Sequence, residues 1–404
     1  MAREPHPRRQ ILATLALLAC GLIPDDLAGA GPSRLRASLA SGMFNRNDAS
    51  RIERGYYERL LEVGQRLDDL GDLPALRGRR RAGVSFAAPV DSAPLVVRVA
   101  DLREVALKPS GNVERSGIRW STNAQGMRDR EYPVARSPHT FRIALVGDSI
   151  AAGWGVPVER RFESILEREW DERSRCAGGP AVEILDTAVP GHAPGQRWHH
   201  FQHVGWSMQP DLVILESTEA DAGWDERRLR YVLARGQGFE SPLYRAVLDA
   251  AGARPGWSPE EYKHVLHARH RAILAGAYRA MVDDGRAHGV PIIWVLIPRV
   301  GQAADRAHRD ALIALARAAG FARVVDASDA YDGLDAAALA VEPADFHPNP
   351  LGHERLARRL DEVLAPLPEL RQVWLPRRDS NVTTVRNRTG AENRDSMNRG
   401  VSHP

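Results

Sequence analysis

The chain has 404 residues, 43% hydrophobic and 26% charged, with a formal net charge of only +3. That length suits two domains or one enlarged one, with ample apolar material for a buried core. Arginine is scattered rather than set in a stripe interleaved with aromatics, so no nucleic-acid partner is expected; two cysteines, Cys20 and Cys176, exclude a disulfide framework or a cysteine metal cluster.

Residues 1–30 read as an export signal. Arg3, Arg8 and Arg9 precede an apolar run from Ile11 to Ile23, which is short for a bilayer span. Ala28-Gly29-Ala30 offers a small-x-small cleavage site, and Leu17-Leu18-Ala19-Cys20 resembles a lipoprotein box with Cys20 as the lipidated residue. Cleavage, a retained anchor and lipidation stay open. Each predicts a periplasmic or extracellular body, and the last two attach it to a membrane through its N-terminus. Residues 31–93 are predicted as a helical segment and linker. Ile52, Tyr56, Leu60, Val63, Leu67 and Leu70 line one helix face, expected to pack on its own domain, and arginine-rich residues 76–93 form the linker.

Residues 94–140 read as a small β-rich accessory region, with short strands at Leu95–Val99 and Glu104–Leu107. From residue 141 to about 370, strands alternate with helices. The strands are Arg142–Val146, Val182–Asp186, Leu212–Leu215, Ile292–Ile297 and Arg323–Asp326. The helices are Phe162–Trp170, Gly195–Met208, Pro259–His288, Ala303–Ala319 and Pro350–Leu364. That alternation predicts an α/β fold, a parallel sheet covered by helices on both faces. Residues 217–257 are rich in Gly, Trp and Arg and read as a long insertion, a substrate-facing lid or wall. Residues 376–404 have almost no large apolar side chains and are expected to be disordered.

Two stretches carry the chemistry. In Phe141–Gly153 an apolar β-branched run stops at Gly147-Asp148-Ser149, so a serine stands at the carboxyl end of a buried strand. On such a strand-to-helix turn its hydroxyl is exposed and backbone N–H groups lie near it. About two hundred residues later, Asp345 and His347 sit two apart just before an amphipathic helix. A serine hydroxyl is a weak nucleophile that needs a base, and the base needs an orienting group.

Together the stretches resemble the SGNH (GDSL-type) hydrolases, with their Gly-Asp-Ser first block and Asp-x-x-His last block. The resemblance implies a flavodoxin-like three-layer α/β/α sandwich and an ester hydrolase with Ser149 as nucleophile, His347 as base and Asp345 as orienting acid. The commoner spacing would place the acid at position 344, which is Ala344; Glu342 stands in reserve. His353 is expected to open the final helix. For the oxyanion, the resemblance implies the N–H groups of Ser149 and of Gly191, in Thr187-Ala188-Val189-Pro190-Gly191. The third block, normally Gly-x-Asn-Asp, is Thr218-Glu219-Ala220-Asp221 here, so the usual amide is missing. Thr218 or Ser217 could supply a hydroxyl, or Trp224 an indole N–H; Asp148, Asp221 and Trp224 are also candidates for substrate contact. Asn123-Ala124-Gln125-Gly126-Met127-Arg128 is similar to a stretch upstream of the nucleophile in some members. It is read as a turn with Arg128 in an ion pair, or else as a cleft wall.

His199, His200 and His203, and His264, His267 and His270, fall at helical spacing without the Glu of an HExxH motif. Both runs read as wet helix faces, and no metal is expected. Neither GxGxxG nor a Walker loop occurs, so no nucleotide cofactor is expected. The expected activity is an exported esterase acting on a small-molecule or polysaccharide ester, by family analogy an O-acyl or O-acetyl group of a carbohydrate. An O-acyltransferase of envelope polysaccharide and a non-catalytic binding protein of the same fold stay open.

Overall fold

The computed structural model describes residues 95–115, 117–302, 305–342 and 345–374. The leader, the amphipathic stretch from Ile52 to Leu70, the linker and the tail lie outside the described residues. Among the described residues no helix is long and apolar enough to cross a membrane.

Two antiparallel hairpins come first: β1 (Val96–Arg98) with β2 (Val105–Leu107), then β3 (Asn112–Arg115) with β4 (Ile118–Ser121). The second hairpin escaped the sequence reading because its strands are short and mix charge with apolar residues. There follow β5 (Thr140–Val146), α1 (Phe162–Cys176), β6 (Ala181–Asp186), α2 (Pro194–Val204) and β7 (Leu212–Ser217). Next are α3 (Asp221–Ala234), α4 (Arg245–Ala251), α5 (Pro259–Leu266), α6 (His270–His288) and β8 (Ile292–Leu296). The chain continues with α7 (Arg306–Ala319), β9 (Arg323–Asp326), α8 (Ala336–Leu339), α9 (Pro350–Leu364) and α10 (Pro368–Arg371).

Strands β5 to β9 form one parallel sheet in the order β6-β5-β7-β8-β9. Its strands are apolar at nearly every position because both faces are covered. Side chains alternate between faces: Ile143, Leu145, Leu212, Ile214, Ile293 and Val295 pack with Phe162, Leu166 and Trp170 of α1 and Leu356 and Leu360 of α9. Ala144, Val146, Val213, Leu215, Trp294 and Leu296 face the other way, against Trp198 and Phe201 of α2 and apolar residues of α3, α5, α6 and α7. The result is a three-layer α/β/α sandwich. The strand order reverses between β5 and β7, and the crevice outside their carboxyl ends is where such sheets hold ligands.

The structure corrects several expectations about these elements. Residues 217–257 are not a free lid: Ser217 ends β7, and α3 and α4 follow, with Ala222, Leu229, Val232, Leu233 and Leu248 buried against α2, α5 and α6. Their helical period is masked by the arginines and tryptophan between them. The long helix from Pro259 is interrupted by a 3-10 turn at His267–Arg269, and α2 ends at Val204.

His353 lies inside α9 rather than opening it; Asn349 caps that helix, its side chain accepting the Gly352 N–H at 3.0 Å. The His353 ring is fully buried, and its Nδ1 accepts the Phe162 N–H at 3.2 Å. Burial, with the charges of Arg161 and Arg128, pushes its pKa down to about 3. The unfolded chain therefore binds a proton between that value and the ordinary histidine value near 6.5, and the folded one does not. Wild type is expected to lose stability on acidification from pH 6.5 to 4, relative to His353→Gln, by about 1.4 kcal/mol per pH unit. No difference in slope arises above pH 7. Urea midpoints of the two proteins across that range check it; parallel curves would contradict it.

Candidate active site

Strand β5 leads into the turn that carries Ser149, the candidate nucleophile. Gly147 follows the strand, and a Cβ there would collide with the Glu216 carboxylate and the Ala151 side chain, so no larger residue fits. Asp148 accepts the Ile150 N–H at 3.0 Å, while the Asp148 and Ser149 carbonyls accept from Ala152 and Trp154, each at 2.9 Å. These residues form consecutive turns, and α1 begins only at Phe162. The Ser149 hydroxyl is therefore held by a knot of turns and not by a helix starting directly after it.

Arg128 ties this knot from outside. Its guanidinium donates to the carbonyls of Ala152 (2.5 Å), Gly153 (2.7 Å) and Val156 (2.7 Å) and lies 3.7 Å over the Trp120 ring. Its hydrogen bonds run to carbonyls, not to the carboxylate expected of an ion pair. Arg161 sits beneath, donating to the Arg128 carbonyl (2.7 Å), to Glu163 (2.7 Å) and to Asp186 at the end of β6. Segment 123–131 is thereby fastened to the sheet edge that carries the Ser149 turn.

The loop before α9 brings the second half. His347 Nε2 lies 2.8 Å from Ser149 Oγ, and His347 Nδ1 lies 2.6 Å from Asp345 Oδ1. The same Asp345 oxygen accepts the His347 backbone N–H at 3.0 Å. This i to i+2 wrap, the Asx-turn habit of aspartate, lets a carboxylate only two residues away meet the ring. Glu342 gives Asp345 only a backbone contact, its carbonyl accepting the Asp345 N–H at 3.0 Å. Burial would raise the Asp345 carboxyl, but the His347 charge and its two hydrogen bonds hold it below the ordinary carboxylate range. Ser149 and His347 are both almost fully buried. The loop itself is stitched down: Val341 N–H donates to the His347 carbonyl (3.0 Å) and Val300 N–H to the Phe346 carbonyl (2.9 Å). Arg299 stacks 3.5 Å over the Phe346 ring, which in turn packs at 4.1 Å against the His347 ring.

Gly191 stands in the turn after β6 with φ 83°, a left-handed conformation suited to glycine. The other candidates for direct substrate contact are occupied. Thr218 Oγ1 donates to Asp221 at 3.2 Å, and Ser217 Oγ donates to Asp221 at 2.6 Å. Asp148 and Asp221 are both buried and share Arg197 as cation, and Trp224, on α3, is buried in the core. In place of exposed binding groups the structure has a buried charge cluster.

Arg197 is its hub, and the sequence reading missed it. All its donor groups are used: Nε to the His192 carbonyl (3.0 Å), Nη1 to the Glu216 carbonyl (3.1 Å) and Asp221 (3.3 Å), Nη2 to Asp148 (2.6 Å) and Asp221 (3.1 Å). One guanidinium thus clasps the segments that follow β5, β6 and β7. Burial would raise the Asp148 carboxyl, but Arg197, the Ile150 N–H and Glu216 hold it below the ordinary range. Glu216 itself is driven well above its usual value by burial and by the Asp148 charge. The available signal was an arginine beside Trp198 and one turn before Phe201, on the face of α2 that must enter the core; a buried cation there requires buried carboxylates.

Arg197→Lys keeps the charge but not the planar fork that holds two carboxylates and two carbonyls. It is expected to lower kcat roughly a hundredfold, the size of effect an ångström of misplacement produces, with KM little changed. Steady-state kinetics on a short-chain ester, beside urea unfolding to verify the fold, measure this. An unchanged kcat in a folded variant would remove Arg197 from the positioning of these segments.

Of the two histidine runs, His264 and His267 are exposed as expected, and the first run departs from expectation at one residue. His200 is buried, its ring 5.7 Å from His192, so that face of α2 is not wet throughout.

A family model described as the GDSL-like Lipase/Acylhydrolase family matches residues 145–355, just over half of the chain. No curated protein matches it. Similar solved structures include a catalytic mutant of Axe2, an acetylxylan esterase from Geobacillus stearothermophilus, with 13% identity over 58% of this chain and 96% of that one (TM-score 0.38). The psychrotrophic esterase EstA from Pseudoalteromonas sp. shows 12% identity over 55% and 94% (TM-score 0.34). A two-domain esterase, CEX, active on acetylated mannans, shows 15% over 58% and 50% (TM-score 0.36). With the family match, the chain belongs to the GDSL-like lipases and acylhydrolases, the SGNH hydrolases of ester bonds.

Proposed function

We propose that the chain is an exported serine esterase that removes O-acyl groups from carbohydrates, with Ser149 as nucleophile, His347 as general base and Asp345 as the group that orients it. The observation that carries this reading is the 2.8 Å contact between His347 Nε2 and Ser149 Oγ, with Asp345 on the opposite ring nitrogen. Ser149 Oγ attacks the acyl carbonyl as its proton passes to His347 Nε2, and Asp345 stabilises the imidazolium. His347 then protonates the departing alcohol oxygen, leaving the acyl group on Ser149. Water, deprotonated by His347, attacks that ester and releases the acid and the free serine. The Ser149 and Gly191 N–H groups are assigned to the oxyanion; Ala220 contributes nothing, and Thr218 is committed to Asp221.

Support for a sugar comes from a cleft of about 310 Å³ outside β7, β8 and β9, lined by Glu219, Arg299, Gln302, Arg309, Ser328 and Tyr331 among others. Neither Ser149 nor His347 lines it; it adjoins their loop where the Val300 N–H meets the Phe346 carbonyl and the Leu339 carbonyl accepts the Asn349 N–H. Polar groups of both signs suit a polyhydroxylated neutral group better than an acyl tail. Export rests on the arginines and apolar run of residues 1–30.

The test compares acetate release from an O-acetylated oligosaccharide with hydrolysis of a long-chain aryl ester, alongside labelling by a fluorophosphonate probe. The expected result is faster deacetylation and a single label on Ser149. Absence of the label would remove the serine mechanism, and preference for the long chain would remove the carbohydrate.

A further inference from the structure

Helix α2 carries His199 and His203 one turn apart, and the loop between β1 and β2 lays Asp101 against them. One donor atom from each of the three lies within 4.8 Å of the others. His199 Nε2 is 3.9 Å from Asp101 Oδ1, and the two imidazole centroids are 4.6 Å apart. We propose that Asp101, His199 and His203 form a binding site for a divalent transition metal, zinc by preference, which fastens the β1–β2 loop onto α2.

The donor set is two imidazoles and a carboxylate with an exposed side left for water, a combination that suits zinc at four-coordination. The surroundings already prepare the ligands. His203 Nδ1 lies 2.7 Å from the His199 carbonyl, so that nitrogen carries the proton and Nε2 keeps its lone pair. A backbone carbonyl on the far nitrogen is the usual outer-shell partner of a metal-bound histidine. The Asp101 carboxylate is fixed by Arg103, whose backbone N–H and Nε reach Oδ1 at 2.9 and 3.0 Å and whose Nη2 reaches Oδ2 at 2.6 Å. Arg103 weakens attraction for a dication while preorganising the acid, so the affinity is lower than that of a bare His-His-Asp site. The side chains of His199 and Asp101 remain about a quarter exposed, 26% and 30%, and His203 is exposed, which gives the metal an entry path.

Such a staple has something to hold. The β1–β2 loop precedes the family match and docks on α2 and α3 through Glu104, which accepts from Gln196 (2.9 Å) and pairs with Arg228 (2.5 Å) and Arg235. A metal at Asp101 adds a second fastening one edge away, on the helix that bears Arg197.

The experiment uses the full chain stripped with a chelator and titrated with zinc chloride. Calorimetry is expected to show one equivalent bound, and thermal unfolding a midpoint raised by about 5 °C at saturating metal. Both effects disappear in the His199→Ala/His203→Ala double variant and persist in His264→Ala/His270→Ala, which removes the other histidine run. Asp101→Asn weakens binding while leaving both rings in place. Absence of saturable binding, or binding undiminished in the His199/His203 variant, overturns the proposal; so does binding abolished by the His264/His270 variant instead. None of these residues touches the triad, so ester hydrolysis by Ser149 stands or falls separately.

Discussion

Ser149→Ala is expected to lower kcat on a short-chain ester roughly a millionfold while the protein stays folded. The reason is that nucleophile and base act as a unit. With Oγ gone there is no acyl-enzyme, and His347 has no hydroxyl to deprotonate; with His347 gone, the hydroxyl cannot lose its proton as it attacks. Single removal of either member of such a pair costs about as much as removing the whole set. His347→Ala should therefore match Ser149→Ala, and the double variant should be no slower than either. The fold should survive because the serine loses one hydrogen bond, about 1 kcal/mol, which shifts the thermal midpoint by only a few degrees. Three kinetic measurements and three melting curves decide it. Fully additive losses would mean that the 2.8 Å contact is not used in turnover.

Asp345→Asn is expected to cost about 10⁴-fold in kcat with the loop geometry preserved. Asp345 Oδ1 accepts from both the His347 backbone N–H and the ring Nδ1–H. An amide oxygen can still satisfy the backbone. If its NH₂ group faces the ring instead, Nδ1 must become the acceptor and the proton moves to Nε2, the nitrogen that has to receive the serine proton. The wrong tautomer, rather than a moved ring, is the damage; in serine hydrolases this exchange costs a factor near 10⁴. Asp345→Asn should also label slowly with fluorophosphonate, since acylation of Ser149 needs the same base, whereas Glu342→Gln should label at the wild-type rate. If the two variants behave in the opposite sense, the orienting acid is Glu342.

Much of this site is legible in one dimension. The strand at 142–146 is a run of buried residues too short for a helix, and a serine directly beyond it must lie at the sheet's carboxyl edge. Asp345 and His347 stand close enough for one loop to present both, just before a helix whose period is plain. The charge cluster was less legible. Asp148 and Asp221 look like substrate ligands, and Thr218 like an oxyanion donor, because they flank the nucleophile block and the third block, but in space they face Arg197 of α2 and bond to it or to one another. The segment after residue 217 concealed helices because arginines on their outer faces diluted the apolar period.

What the sequence by itself determined was the alternation of strands and helices, the apolar faces that force a covered parallel sheet, and the identity of nucleophile, base and acid candidates. Those follow from local rules: periodicity, strand length, and the few residue types able to move a proton. Only the tertiary structure decided which carboxylate meets which cation, that Asp101 reaches the histidines of α2, and that a hydroxyl and an imidazole some two hundred residues apart share a hydrogen bond. Such contacts depend on strand order and on how helices seat against the sheet, and pairing across those distances leaves no local period to read.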